Sequence, residues 1–296
     1  MPTPQTDFIS LVKRAYPSAR EEDIKVFDDG WDYVVYVVNG SQTFRFPRRD
    51  DYSKTLPREV AFLDTFSSLS SVQVPKLTLH KTPDGKPYVT YSFIPGVPFE
   101  GDVAQNCSPK ELHEIAQQIA NFLSILHSFP IKTAKTMGFD ELDSVKYWSD
   151  RLNKIEKNVY PHLPASEQSW ITELFAEFIE MITQNPFRNK LIHSDIMPGH
   201  IIINSTTHKL SGIIDFGDME IADPAYDFTF LHKYGQEFLD TAYDNYKLDR
   251  DKTFEKRRQF YEDRLVVTDL EHSIEIHDKE KIELQKKQLT DYIGNG

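Results

Sequence analysis

The spacing of apolar positions changes near residue 95 from strand-like runs to helical periodicity. Phe8-Ile-Ser-Leu-Val12 places its apolar residues like one face of a short helix leading to Pro17. From Ile24 to Phe46 the pattern is that of strands. Ile24, Val26 and Tyr33-Val-Val-Tyr-Val-Val38 are β-branched or aromatic, and Asn39-Gly40 is a two-residue hairpin signal. Thr43-Phe-Arg-Phe46 is then the returning strand, stopped by Pro47. A helix is expected to start near Pro57 and to run through Glu59, Val60, Phe62 and Leu63. After Val74-Pro75, strands at 76–80 and 88–93 flank the turn Pro83-Asp84-Gly85. Residues 1–95 thus read as an antiparallel sheet with one inserted helix.

Ile94-Pro95-Gly96-Val97-Pro98 marks an interlobe hinge, because two prolines and a glycine cannot continue a strand. Residues 96–296 read as mainly helical. Ser108-Pro109 is an N-cap with proline at the first helical position, and Leu112, Ile115, Ala116, Ile119, Leu123 and Leu126 trace one face. Further helices are expected at about 143–160 and 165–184 by the same period. Short apolar runs at Leu191-Ile192, Ile201–Ile203 and Ile213-Ile214 interrupt them. Helical spacing resumes after Pro224 and ends in a charged tail expected to be solvated. The fold class is α+β in two lobes.

The 296 residues carry 34 Lys+Arg against 46 Asp+Glu, a formal net charge of −12. That field repels phosphate backbones and anionic membranes, so neither nucleic acid nor membrane is an expected partner, whereas cationic small molecules are attracted. With 20 Phe and 14 Tyr the chain has too many aromatics for a disordered polymer. Cys107 is the single cysteine, which excludes an intrachain disulfide and a cysteine-built zinc site and fits a reducing compartment. No apolar run approaches the roughly 18 residues of a membrane helix, and MPTPQTDF lacks the basic start and apolar run of a secretory signal. A monomer in the cytoplasm is expected.

Candidate chemistry lies in His193-Ser-Asp-Ile-Met-Pro-Gly-His200 and, after a short hairpin, Ile213-Ile-Asp-Phe-Gly-Asp218. Asp195 and Asp215 each follow an apolar run, where a carboxylate is expensive unless something ionic uses it. Two carboxylates brought together by a hairpin suit a site that holds a divalent cation and orients a hydroxyl, which is most of what phosphoryl transfer needs. The first stretch resembles the H-x-D-x-x-x-x-N catalytic loop of the kinase superfold with His in the last place, and Asp215-Phe-Gly217 resembles its metal-binding D-F-G. With Gly212-Ile-Ile-Asp-Phe-Gly-Asp218 and Asp223-Pro-Ala-Tyr-Asp227, the order is similar to that of aminoglycoside 2''-phosphotransferases, bacterial antibiotic kinases. Phe44-Arg-Phe-Pro-Arg48 and Arg58-Glu-Val60 also resemble that family's nucleotide lobe, and macrolide phosphotransferases share much of the pattern.

The resemblance spans about Phe27 to Asp227 and implies a protein-kinase-like fold with an N-terminal nucleotide lobe. It implies an enzyme that moves the γ-phosphate of ATP or GTP, with Mg2+, to an antibiotic hydroxyl, as in aminoglycoside resistance. Asp195 would be the catalytic base that also meets the acceptor. Asp215 would ligate metal, with His200 a second ligand or close neighbour. Arg45, in place of the usual lysine, and Glu59 would form the strand ion pair at the nucleotide, and His193 would brace the loop. Tyr91, Ser92, Phe93 and Ile94 would contact the purine, largely through backbone groups. Asp218, Glu220, Asp223 and Asp227 would place negative charge near a polycationic acceptor. The phosphate loop, Asp28-Asp-Gly-Trp-Asp32, carries a single glycine. Other acceptors stay open: a macrolide, served by Phe228, Phe230, Tyr234, Phe238 and Tyr243, or a metabolic alcohol. A pseudokinase that only binds nucleotide is the alternative of a different class.

Overall fold

The computed structural model describes residues 8–28 and 32–295. Strands β1 (Ile24–Phe27), β2 (Tyr33–Val38), β3 (Gln42–Pro47), β4 (Thr78–Lys81) and β5 (Pro87–Ser92) form one antiparallel sheet in the order β1-β2-β3-β5-β4. The β2–β3 turn uses left-handed backbone at Asn39 (φ 52°) and Gly40 (φ 60°), as its sequence anticipates. Helix α1 (Phe8–Ala15) covers one face, where Phe8 stacks on Phe46 at 4.3 Å between ring centroids.

Helix α2 (Asp50–Phe66) covers the other face, and it begins seven residues before Pro57. Asp50 and Asp51 sit in its first turn, where acidic side chains offset the exposed N–H groups, so the proline is carried inside the helix. Leu56 of α2 packs with Tyr33 and Val89 of the sheet. Phe62 and Phe66, about two and three turns on, instead join the core of the helical half, against Phe122, Phe129 and Phe139.

The second half comprises β6 (Val97–Pro98), α3 (Gly101–Gln105), α4 (Pro109–His127), α5 (Ile131–Thr136), α6 (Ser144–Asn158) and α7 (Ala165–Gln184). It continues with β7 (Lys190–Ile192), β8 (Ile201–Ile203), β9 (Leu210–Ile213), β10 (Glu220–Ala222), α8 (Gln236–Asn245), α9 (Phe254–Asp263), α10 (Leu265–Glu275) and α11 (Lys279–Asn295). Ser108 caps α4 in a reciprocal pair with Glu111. The hinge is also a strand, since Val97 and Pro98 pair with Ile203 and Ile202. Gly96 makes that approach possible: at φ 146° a Cβ there would lie 2.4 Å from the Ile203 carbonyl oxygen. The charged C-terminal stretch is no solvated tail. It forms α11, packed on α10 and α7, with Leu289 fully buried and Thr290 bonded to Glu167 at 2.6 Å. No helix among the described residues is long and apolar enough to cross a membrane.

Candidate active site

Two short strands deliver the two carboxylates. β7 ends at Ile192, and the chain turns through Ser194 at φ 69°; the β8–β9 hairpin returns it to Asp215 at φ 66°. Such left-handed residues cost roughly 1–3 kcal/mol each and persist only where the surroundings fix them. Here the surroundings are specific. Asp227 Oδ2 accepts hydrogen bonds from the His193 amide (2.8 Å) and His127 Nε2 (2.9 Å), and Oδ1 accepts from the Ser194 amide (2.8 Å). The Ile214 amide donates to the His200 carbonyl at 3.0 Å, tying the second turn to the first.

The His200 ring lies between both carboxylates. Nδ1 donates to the Asp195 carbonyl at 2.9 Å and lies 3.1 Å from Asp195 Oδ2, while Nε2 is 3.7 Å from Asp215 Oδ2. Burial opposes its charge, but the hydrogen bond to Asp195 and the charges of Asp215 and Asp195 prevail and lift its pKa to about 9. His193 is fully buried, packed on Phe216, and its pKa is lowered by that burial.

From the sheet, Arg45 of β3 reaches Asp215 Oδ1 at 3.3 Å and pairs with Glu59 of α2. Arg45 is 4% exposed, and its guanidinium also lies 4.2 Å from the centre of the Tyr33 ring. Burial works against the arginine charge, yet Glu59, Tyr33 and Asp215 outweigh it and hold the pKa above the ordinary value. Asp215 feels burial too, but Arg45 and His200 keep its pKa below the usual carboxylate range.

Asp195 stands between two cavities. The first, about 760 Å³, is walled by apolar Val35, Val37, Ile94, Ile202 and Ile214 together with Arg45, Asp195, His200 and Asp215. The second, about 360 Å³, is lined by Asp195, Asp218, Glu220, Trp148, Tyr226 and Arg264. Asp218 and Glu220 extend into a third space of about 310 Å³ beside Tyr52 and Arg58. Burial, then Asp195 and Asp215, push Asp218 up to about 6; burial, then Asp218 and Asp227, push Glu220 up to about 7.

Of the residues expected here, Asp195, Asp215, His200, Arg45, Tyr91, Phe93 and Ile94 converge on the first cavity, and Asp218 and Glu220 on the second. Glu59 forms the expected ion pair with Arg45, buried behind it and off the cavity wall. Three do not take the expected place. Ser92 pairs with Gln42 at the end of β5, and its side chain faces solvent. Asp223 is among the residues lining the second cavity but is 2% exposed, with Oδ2 held by Arg257 at 2.7 Å and by Tyr261 at 2.7 Å, and with Oδ1 capping the Ala225 amide at 3.0 Å. Asp227 is consumed by the clamp on the Asp195 turn. Neither aspartate has an oxygen left to face an acceptor, since a buried carboxylate satisfies its neighbours first. Phe228, Phe238 and Tyr243 are core residues rather than a macrolide cleft. The central phosphate-loop residues, Asp29-Gly-Trp31, lie outside the described residues. Sequence reading missed His127, Tyr33 and Arg264, which carry no local motif.

This geometry has relatives. The chain superimposes on an aminoglycoside 2''-phosphotransferase in complex with GDP and kanamycin, with a TM-score of 0.88 at 24% identity, covering 98% of this chain and 99% of that one. It shares the fold of a macrolide 2'-phosphotransferase from Brachybacterium faecium, with a TM-score of 0.74 at 15% identity and coverage of 96% and 98%. In sequence it is 23% identical over 159 residues to viomycin phosphotransferase of Streptomyces vinaceus, spanning 53% of each chain. The sequence profile of the phosphotransferase enzyme family matches residues 23–260, four-fifths of the chain, including Arg45, Asp195, His200 and Asp215. Motif order, the paired turns and that match lead to one assignment: the chain is a phosphotransferase of this family.

Proposed function

We propose that the enzyme transfers the γ-phosphoryl group of ATP or GTP to a hydroxyl of an amine-bearing small molecule, with aminoglycoside antibiotics the leading class. In this reading residues 1–95 are the nucleotide lobe and 96–296 the catalytic and acceptor lobe. The observation that carries it is the position of Asp195, a wall of both the apolar, arginine-bearing cavity and the acidic one. The relatives named for GDP and kanamycin, and for viomycin, point the same way. The purine would lie among Val35, Val37, Ile202 and Ile214, with its phosphates toward Arg45 and Asp215.

The acceptor oxygen attacks the γ-phosphorus, the bond to the β–γ bridging oxygen breaks, and the nucleoside diphosphate leaves. Asp195 takes the hydroxyl proton, and His200, 3.1 Å from that carboxylate, holds it in place. Arg45, kept charged by Glu59, offsets phosphate charge. Among the described residues no three His, Cys, Asp or Glu side chains form a metal cage. The donor set instead suits Mg2+, which retains water and phosphate oxygens and takes few protein ligands. Asp215 would hold it, with His200 a close neighbour, and it would neutralise phosphate charge.

Purified protein given ATP or GTP with kanamycin, gentamicin and a macrolide should add one phosphate to an aminoglycoside, read by mass spectrometry. Nucleotide binding with no transfer to any alcohol would favour the binding-only alternative. Acceptor affinity should also depend on pH. Asp218 and Glu220 attract an ammonium group only when ionised, and their pKa values stand at about 6 and about 7. KM for a cationic acceptor should therefore fall as pH rises from 5.5 to 8, and Glu220→Gln should remove the upper part of that change.

A further inference from the structure

The second cavity holds a buried guanidinium that Glu220 and Asp269 influence only through space, without a direct ion pair. Arg264, at the junction of α9 and α10, is 7% exposed and lines this cavity with Asp195. Its Nη1 bonds to Thr268 Oγ1 at 3.0 Å and its Nη2 to Tyr226 Oη at 2.5 Å, both neutral oxygens. The guanidinium lies 5.0 Å from the centre of the Trp148 ring and 5.2 Å from that of Tyr226, and its Nε has no partner. Among the described residues no carboxylate forms an ion pair with it. Contrast Arg257, which is buried nearby and takes Asp223 and Asp251. A second orphan lies on the same wall: Ser194 Oγ is buried without a partner, one residue from Asp195.

A buried cation normally has a counter-ion, because desolvation without one is costly. Stacking on aromatic faces offsets part of that cost but supplies no acceptor for Nε. The open donor is therefore available to an external acceptor. Asp218 and Glu220 line the same cavity and call for positive charge, so a ligand presenting both signs satisfies the whole wall.

We infer that Arg264 and Ser194 bind a carboxylate where the acceptor carries one, so that among amine-bearing alcohols an amphoteric acceptor gains a contact that a pure polycation lacks. This rests on the proposal that the acceptor occupies the cavity beside Asp195. The ammonium group meets Asp218 and Glu220, the carboxylate meets Arg264, and the hydroxyl meets Asp195. Arg264 is then a specificity determinant that favours acceptors bearing a carboxylate over otherwise equal amines.

Calorimetric binding tests this independently of turnover, using the tripeptide Ser-Lys-Gly as free acid, the same peptide as its carboxamide, and kanamycin. Wild-type protein should bind the free acid at least about tenfold more tightly than the amide, the scale of one charge-assisted contact. Arg264→Gln should erase that ratio and leave kanamycin binding equal or tighter, while Arg264→Lys should restore part of the preference. Equal binding of acid and amide by wild type, absence of binding by the free acid, or equal weakening of all three ligands in Arg264→Gln would each overturn the inference. Failure of phosphate transfer to every alcohol, with the acid–amide ratio intact, would instead count against the kinase reading. An unchanged nucleotide-induced rise in melting temperature shows that the variants are folded.

Discussion

Asp195→Ala is expected to lower kcat by about 10²–10⁴-fold, the range for removing a positioned general base, while nucleotide affinity stays within about threefold, as expected for a group acting on the hydroxyl and not on the ground-state phosphates. The side chain touches both cavities but contributes little to packing: it is 28% exposed and pairs with His200 at 3.1 Å. Melting temperature should therefore barely move. Asp215→Ala provides the contrast. It removes the carboxylate that faces Arg45 at 3.3 Å and His200 at 3.7 Å, so metal–nucleotide affinity should fall together with turnover. Nucleotide affinity by fluorescence titration, set beside single-turnover phosphate transfer, separates the two. Full turnover by purified Asp195→Ala would eliminate the role assigned to that residue.

The second large effect concerns a residue that touches no substrate. Asp227→Ala should destabilise the protein by about 3–5 kcal/mol, the range for breaking a buried charged network, and should lower activity in addition. It strips acceptors from two backbone amides and from His127, all buried or nearly so. Each buried donor left unmet costs about 1–3 kcal/mol. The turn that Asp227 clamps contains Ser194 in left-handed backbone, so relaxation there displaces Asp195. Thermal unfolding should show a loss of roughly 10 °C, on the scale for chains of this size. The paired signature, stability and kcat falling together, distinguishes a positioning residue from Asp195. An Asp227→Ala protein of unchanged melting temperature would contradict the account.

The same pair shows what could be read from the chain alone. The turns at Asp195 and Asp215 were legible because their chemistry is written locally, as an acidic residue within three positions of an apolar run. The roles of Asp223 and Asp227 were not, because they depend on partners far along the chain: Arg257 and Tyr261 for one, His127 for the other. An aspartate at a helix start looks alike whether it faces a ligand or a buried arginine. Arg264 was invisible for the same reason, since only folding brings it to the wall beside Asp195. Errors in the fold were of a related kind. Pro57 resembles a helix start, but the acidic pair Asp50-Asp51 places it earlier. In α11 the apolar positions Ile282, Leu289 and Ile293 are too sparse to outweigh the surrounding charges by eye, yet they suffice to dock the helix. The strands β2, β3 and β5 and the helices α4, α6 and α7 were clear, because each buries a continuous face.

Helix α2 belongs to two hydrophobic cores at once, giving Leu56 to the sheet and Phe62 and Phe66 to the helices, with Glu59 between them holding Arg45. Neither half can melt alone without tearing this rod from its own interior. The two lobes are thus bound into a single cooperative unit, and heat or denaturant acts on them as on one body, although the chain is drawn as two.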